Sequence, residues 1–539
     1  MAMIKRFWKR TVIFFVVYLP MICFLSAQDK ASLVNWQLMY NDTVVGTDAT
    51  RALEWLKKHR KPSRQPIIVG VIDSGTDTTH TYLKPSFWVN IKEIPDGKDN
   101  DGNGYIDDIH GWNFLGAKND TFNVVEAGAQ EFREFRRLYP KYKDYPTDSA
   151  SLANASAEYE YYLKMMEDSQ SDVFFKILEH ATGVLPSYVY IDSVARVEYP
   201  DSKSLTVADV LKLKVSGNDF SEAMKTVSGD IAEMQYSGNW NDLMKQMNSS
   251  LKEAQEFKKN LDSGTDLRHQ VGDDINNSED RFYGNTDLMA GFFDHGTFVG
   301  GVIAAQENEG NGMVGVYPEA RIMAIRAIPR GDEYDKDVAS AIYYAVDNGA
   351  KVVNMSFGKM ISPHKEMVDE ALRYAADHDV LLIQASGNNG IDRDEILFYP
   401  YGTDINGARL GNMLCVGASD VEGNPCIFSN YGKKTVDVFA PGAGIWSIAP
   451  DNSYVSSSGT SVASPVVAGI AAMIRHYFPK LTAVQVRDIL MESVIKIDRE
   501  VVSPGTGEIT RYNELCVSGG IVNAMKAVKL ANGMYKKGR

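Results

Sequence analysis

The stretch IIVGVIDSG, residues 67–75, sets the reading of this chain. Ile67 to Ile72 form an unbroken run of apolar and small residues that enters Asp73, Ser74 and Gly75 without polar alternation. That is the pattern of a strand buried on both faces of a parallel sheet. An aspartate at the carboxyl end of such a strand stands where open α/β sheets bind their ligands. One aspartate in that place is common, so it points to a fold class before it points to a chemistry.

The same pattern recurs downstream, at Ile322–Ile328, Val352–Phe357, Val380–Ala385 and Met413–Val416. Between these runs, Asp337–Asn348 puts Val338, Ala341, Ile342, Ala345 and Val346 on one helical face. His364–Asp377 and Thr482–Met491 show similar spacing. Alternating strand and helix predicts an α/β fold, an open, mostly parallel sheet with helices on both faces. Two regions depart from this rhythm. Residues 28–65 form an N-terminal extension with one predicted helix, Ala49–His59, entered through Thr47 or Asp48 as N-cap. Residues 115–282 are polar and rich in Ser and Asn, with helical patterns at Glu158–Met166, Val207–Val215 and Leu243–Leu261. They read as a mainly helical insertion into a surface loop of a core made of residues 66–114 and 283–533, with 534–539 as a tail.

With 44% hydrophobic and 23% charged residues in 539, the composition excludes a disordered, collagen-like or disulfide-scaffold protein. A net charge of −14 argues against a surface that wraps nucleic acid. Lys5, Arg6, Lys9 and Arg10 precede an apolar run from Val12 to Leu25, and Leu25-Ser26-Ala27 offers a cleavage site before Gln28. Residues 1–27 thus read as a signal peptide, an uncleaved anchor being the alternative. Export to a periplasm or to the outside follows, without stable membrane insertion after cleavage, since no second apolar run reaches spanning length. Cys415, Cys426 and Cys516 have neither zinc-site spacing nor an even number, and read as small buried hydrophobes.

Two further segments hold chemistry-bearing residues. Asp294-His295-Gly296-Thr297 opens an apolar helix that runs to Ala305, and Ser458 to Pro465 leads into another over Val466–Ile474. Ser461, after Gly459 and Thr460 at a helix start, has an unpaired backbone N–H and the positive dipole end beside it. A nucleophile whose attack creates an oxyanion needs that surrounding. Each segment alone also has a plain structural account, as a cap or a solvated helix start. His80, seven residues after Asp73, is the nearest rival to His295.

Taken together, DSG at 73–75, HGT at 295–297 and GTSVASP at 459–465 resemble the subtilisin-like serine proteases, the subtilases, in the order Asp, His, Ser. Ala385-Ser386-Gly387-Asn388 is similar to the oxyanion segment of that family. The resemblance covers 66–114 and 283–533 and implies an exported serine endopeptidase acting on extended polypeptides. It implies Ser461 as nucleophile, His295 as general base and Asp73 as the group that orients it. Asn388 and the Ser461 N–H would receive the oxyanion, while Ser356, Phe357, Gly358 and Gly387 would bind substrate. Phe298, Gly300 and Val462 depart from the common pattern at packing positions, and residues 28–65 are shorter than the usual pro-domain. A catalytically silent scaffold using the same cleft, and transfer of the acyl group to an amine, are the rival readings.

Residues 99–108, DNDGNGYIDD, imitate a calcium loop through Asp99, Asp101, Asn103 and Asp107, with a glycine at the sixth position. The twelfth position is His110 instead of glutamate, so a turn-rich loop that needs no metal is the alternative to structural Ca2+. No cofactor for catalysis is implied. For the insertion 115–282, a lid, a protein-partner arm, a substrate-size filter and a solvated appendage all remain open readings.

Overall fold

In the computed structural model, which describes residues 34–145, 156–200, 203–264, 266–307, 312–403 and 406–537, the opening run becomes the strand Ile68–Asp73. It pairs in parallel with Arg321–Arg326 on one side and Val352–Met355 on the other. Nine strands make this sheet. From edge to edge they run Ile495–Lys496, Gly520–Ile521, Val438–Pro441, Met413–Ser419, Leu381–Ala385, Val352–Met355, Ile68–Asp73, Arg321–Arg326 and Gly111–Asn113. Every pairing is parallel except that of the first two.

Successive side chains of a strand point to opposite faces, and the sheet uses both. Val69, Val71, Ile322, Val352, Ile383 and Val416 face a core shared with Val299, Ile303, Val466 and Ile470 of the helices Asp294–Ala304 and Thr460–Tyr477. Ile72, Met323, Ile325, Val353, Met355 and Leu382 face a second core. There they meet Val338, Ile342 and Leu372 of the helices Asp335–Asp347 and Lys365–Asp377. Strand order reverses at Ile68–Asp73, and the crevice outside the carboxyl end of a strand at such a point is where these sheets bind ligands. Asp73 stands there.

Several expectations shift in detail. The run expected at Ile322–Ile328 stops at Arg326, because the N–H groups of Ala327 and Ile328 turn to Asp73 O at 3.0 and 3.1 Å. The helix Ala49–His59 forms, but neither Thr47 nor Asp48 caps it with a side chain: Thr47 Oγ1 donates to Gln37 O and the Asp48 carboxylate pairs with Arg51. The three thiols are free and buried.

The chain divides into two contact-dense units, residues 131–266 and the sheet-bearing remainder. The first is helical, with Ala157–Asp168, Ser171–Glu198, Val207–Val210, Asn218–Met234 and Trp240–Ser263. Its own core is built on Tyr188, Ile191, Val227, Trp240 and Leu243. It is narrower than the expected 115–282, since Leu115, Val124 and Val271 are apolar and pack into the sheet's second core. The helix expected at Val207–Val215 is a single turn, Val207–Val210, closed by a Thr206–Asp209 capping box. The expected signal peptide, 1–27, lies outside the described residues. Among the described residues no helix is long and apolar enough to cross a membrane.

Candidate active site

Asp73 ends its strand with its side chain almost fully buried, and its Oδ1 accepts the Ser74 N–H at 2.7 Å. The same oxygen faces His295 Nδ1 at 2.7 Å, across 222 positions of chain. What allows this approach is the absence of a side chain at Gly296. A Cβ there would stand 2.0 Å from Gly75 O and 3.1 Å from Asp73 Cβ, so only glycine lets the helix Asp294–Ala304 sit on the strand end. Thr297 Oγ1 accepts the Asp77 N–H at 2.8 Å, and the Gly296 N–H reaches Ser74 Oγ at 3.3 Å. The helix start is thereby stitched to the loop after Asp73.

A carboxylate accepts only, so the facing Nδ1 carries the proton and Nε2 is left as a base. Burial disfavours the charged ring, but the charge of Asp73 and its hydrogen bond outweigh that penalty. His295 therefore holds a proton more tightly than an ordinary imidazole. His80 is not a competitor. It is fully buried, its Nδ1 accepts the Tyr82 N–H at 3.2 Å, and burial lowers its pKa.

Ser461 is the second residue of the helix Thr460–Tyr477, which packs against the helix Asp294–Ala304. Asn388 lies just past the strand Leu381–Ala385, and Thr460 sets the direction of its amide. The Thr460 N–H and Oγ1 donate to Asn388 Oδ1 at 2.8 and 3.0 Å, while Thr460 Oγ1 accepts the Gly387 N–H at 3.0 Å. With its oxygen engaged by two donors, the amide presents Nδ2 on the other side. The space beside Gly459 shows what Nδ2 meets. A Cβ on Gly459 would lie 3.1 Å from Ser461 Oγ, 3.6 Å from Asn388 Nδ2 and 3.7 Å from Ser461 N. A hydroxyl and two N–H donors thus converge on one point that glycine keeps clear, at the positive end of a helix. Among the described residues the Ser461 N–H has no partner. No hydrogen bond joins His295 to Ser461 among the described residues.

The expected substrate segment divides by role. Ser356 Oγ donates to Ser461 O at 2.9 Å, lies 2.9 Å from Ser464 Oγ, and accepts from Asn354 Nδ2 at 2.8 Å. Its buried hydroxyl braces the serine helix. Phe357 is half-buried against the second core. Gly358 and Gly387 both border the ring of Phe398.

In the loop expected to bind calcium, Asp99 and Asp101 converge with Glu93, with ligand oxygens within 4.8 Å of one another. Asp107 is turned to the N–H groups of Asp96 and Gly97, and the Asn103 amide is engaged by Asp108 and Tyr105. His110 Nδ1 faces Trp88 O at 2.9 Å. The carboxylate missing from the twelfth position is matched by one six residues upstream of the loop. Glu93 also accepts the N–H groups of Asn100, Asp101 and Asp107. Spacing within the loop carries no signal for Glu93, and the clamp at Thr460 is visible in sequence only as a good helix-start residue.

Residues 64–515 match the Subtilase family. A thermophilic serine proteinase of Bacillus sp. (strain AK1) is 36% identical over 222 residues, which are 41% of this chain and 50% of that protein. Subtilisin Savinase of Lederbergia lenta is 35% identical over 204 residues, 38% of this chain and 71% of its own. The chain spans about half the length of the first curated relatives it matches. Among solved structures, that of the prenylagaramide maturation protease PagA is 28% identical with a TM-score of 0.38, covering 44% of this chain and 83% of the other.

Proposed function

The chain belongs to the subtilase family, and from that premise we propose that it is a serine endopeptidase that hydrolyses peptide bonds of extended polypeptides. Ser461 Oγ attacks the scissile carbonyl carbon as His295 Nε2 takes its proton. Asp73 stabilises the imidazolium that forms and keeps Nε2 turned to its task. The carbonyl oxygen becomes an oxyanion between Asn388 Nδ2 and the Ser461 N–H. Collapse of the tetrahedral adduct breaks the C–N bond, and His295 hands its proton to the leaving amine. Water, deprotonated by His295, then hydrolyses the acyl-serine by the same route in reverse.

The observation that carries this reading is the convergence of Ser461 Oγ, Asn388 Nδ2 and Ser461 N around the space beside Gly459. A fluorophosphonate probe tests it, because that reagent labels an activated serine. Labelling that disappears in Ser461→Ala supports the peptidase, and a folded wild type that neither labels nor cleaves any peptide overturns it. The basic and apolar run within residues 1–27 supports export of the chain.

Asn388→Ala should cost about 100- to 1000-fold in kcat with little change in KM, the size known for the oxyanion asparagine of subtilisin itself. The pH profile follows from His295. Only the neutral ring can act as base, and its pKa is raised above the ordinary 6.5. As pH falls, the base is therefore lost early, and the acidic limb of kcat/KM should lie above pH 6.5. A limb centred well below that value would contradict the Asp73–His295 pairing.

We further propose that Glu93, Asp99 and Asp101 hold a Ca2+ ion, since three carboxylates supply the hard oxygen donors that cation takes. Its part would be to neutralise their repulsion and brace the loop, with no part in the chemistry. Calcium at a hundredfold excess over Kd should stabilise the fold by about 2.7 kcal/mol relative to chelator. Thermal melts of wild type and Glu93→Gln check this: the calcium-dependent rise in Tm should disappear in the variant.

A further inference from the structure

When a carbonyl carbon sits at Ser461, the side chain of that residue branches one bond away and must find room beside the oxyanion site. The neighbouring backbone is Gly387 next to Asn388, and the strand end at Gly358 is the other expected wall. Both glycines meet the same ring. A Cβ on Gly358 would lie 2.4 Å from Phe398 Cε1, and one on Gly387 would lie 2.9 Å from Phe398 Cζ. The ring, only 6% exposed, therefore spans the interval between the two glycine backbones.

Buried polar contacts keep it there. Arg393 Nη2 donates to Phe398 O at 2.8 Å, and the guanidinium lies 5.2 Å from the ring centroid. Nη1 donates to Ser386 O at 3.3 Å and to Cys415 Sγ at 2.8 Å, so this buried arginine ties the ring's loop to the strands beneath it. Beyond the ring, Lys359 and Tyr399 exchange backbone hydrogen bonds at 3.1 and 2.7 Å, which pins the other flank. Both Nη groups are engaged, and the guanidinium serves the loop instead of a substrate carboxylate.

Given the peptidase reading on which this rests, we propose that Phe398 floors the pocket for the residue preceding the scissile bond. The substrates are polypeptides with small, uncharged residues (glycine, alanine or serine) at that position. An aromatic or long aliphatic side chain would have to displace a clamped ring, and rejection of extra bulk by a packed pocket grows with each added group.

The test uses the full chain and matched peptides that differ only in having Ala or Phe before the cleaved bond. Wild type should favour Ala by about 100-fold or more in kcat/KM. Phe398→Gly should shrink that ratio by about tenfold or more, and Phe398→Leu, which keeps more of the packing, by a smaller factor. Cleavage of a random peptide library by wild type gives the same preference without any variant. A wild type that cuts after Phe as readily as after Ala overturns the proposal, as does an unchanged ratio in a folded Phe398→Gly. Both results leave the peptidase standing, because fluorophosphonate labelling and Ser461-dependent cleavage are read separately. A wild type that neither labels nor cleaves removes both.

Discussion

Replacing Ser461 by alanine is expected to lower kcat for peptide hydrolysis about a million-fold while leaving Tm unchanged, the loss known for the same group in subtilisin itself. The two halves of that expectation have separate causes. Ser461 Oγ points into the space beside Gly459, and the helix gains nothing from it, being held through Ser461 O by Ser356 and through Thr460 by Asn388. Its removal therefore deletes the attacking atom without unsettling the fold. The two N–H donors survive, so the variant should still bind peptide with near-native affinity, and a slow background rate should persist. Single-turnover kinetics beside a thermal melt would check both halves. A rate within tenfold of wild type would place the nucleophile elsewhere, and a collapse of Tm would mean the hydroxyl is structural.

Asp73→Asn should cost about ten-thousand-fold, with geometry almost unchanged, the loss known for the corresponding aspartate of a serine protease. Asp73 Oδ1 accepts both the Ser74 N–H and the Nδ1–H of His295, each at 2.7 Å. An asparagine that turns its NH2 to Nδ1 gives up the Ser74 N–H, which shares that position, and shifts the ring proton to Nε2. The imidazole then offers Ser461 a donor where it needs an acceptor. The charge that raises the His295 pKa is lost as well, so the acidic limb of the pH profile should move to lower pH. A loss below tenfold, or a limb that does not move, would sink the assigned tautomer.

The central strands were legible because a strand buried on both faces reads as a near-continuous apolar run. Ile68–Asp73, Val352–Met355 and Leu381–Ala385 have one, interrupted only by Asn354, Gln384 and the terminal aspartate of the first. Strands toward the sheet's edges were not. Gly111–Asn113 emerges from an Asp- and Gly-rich loop, and Val438–Pro441 is four residues long and ends in a proline, so neither offers a period to detect. The helix Ser171–Glu198 falls in the expected helical insertion, but its own bounds are not marked by spacing although it is 28 residues long. Its apolar residues are not confined to one face, and Pro186 lies inside it.

The site divides in the same way. Asp73 at a strand end, and His295 and Ser461 at helix starts, announce themselves locally, since each motif is written in adjacent residues whose backbone geometry follows from their own types. Sequence by itself therefore determined the sheet's interior and which groups are chemically equipped. Only the tertiary structure decided how they face one another: the 222-residue closure of Asp73 on His295, the amide of Asn388 turned by Thr460, and the inward hydroxyl of Ser356. It likewise brought Glu93 to Asp99 and Asp101, and Phe398 to two glycines forty and eleven positions away from it. The reason is physical. These contacts arise where separate layers pack, and the periodicity of a single helix or strand specifies which face is buried, but not the partner that will cover it.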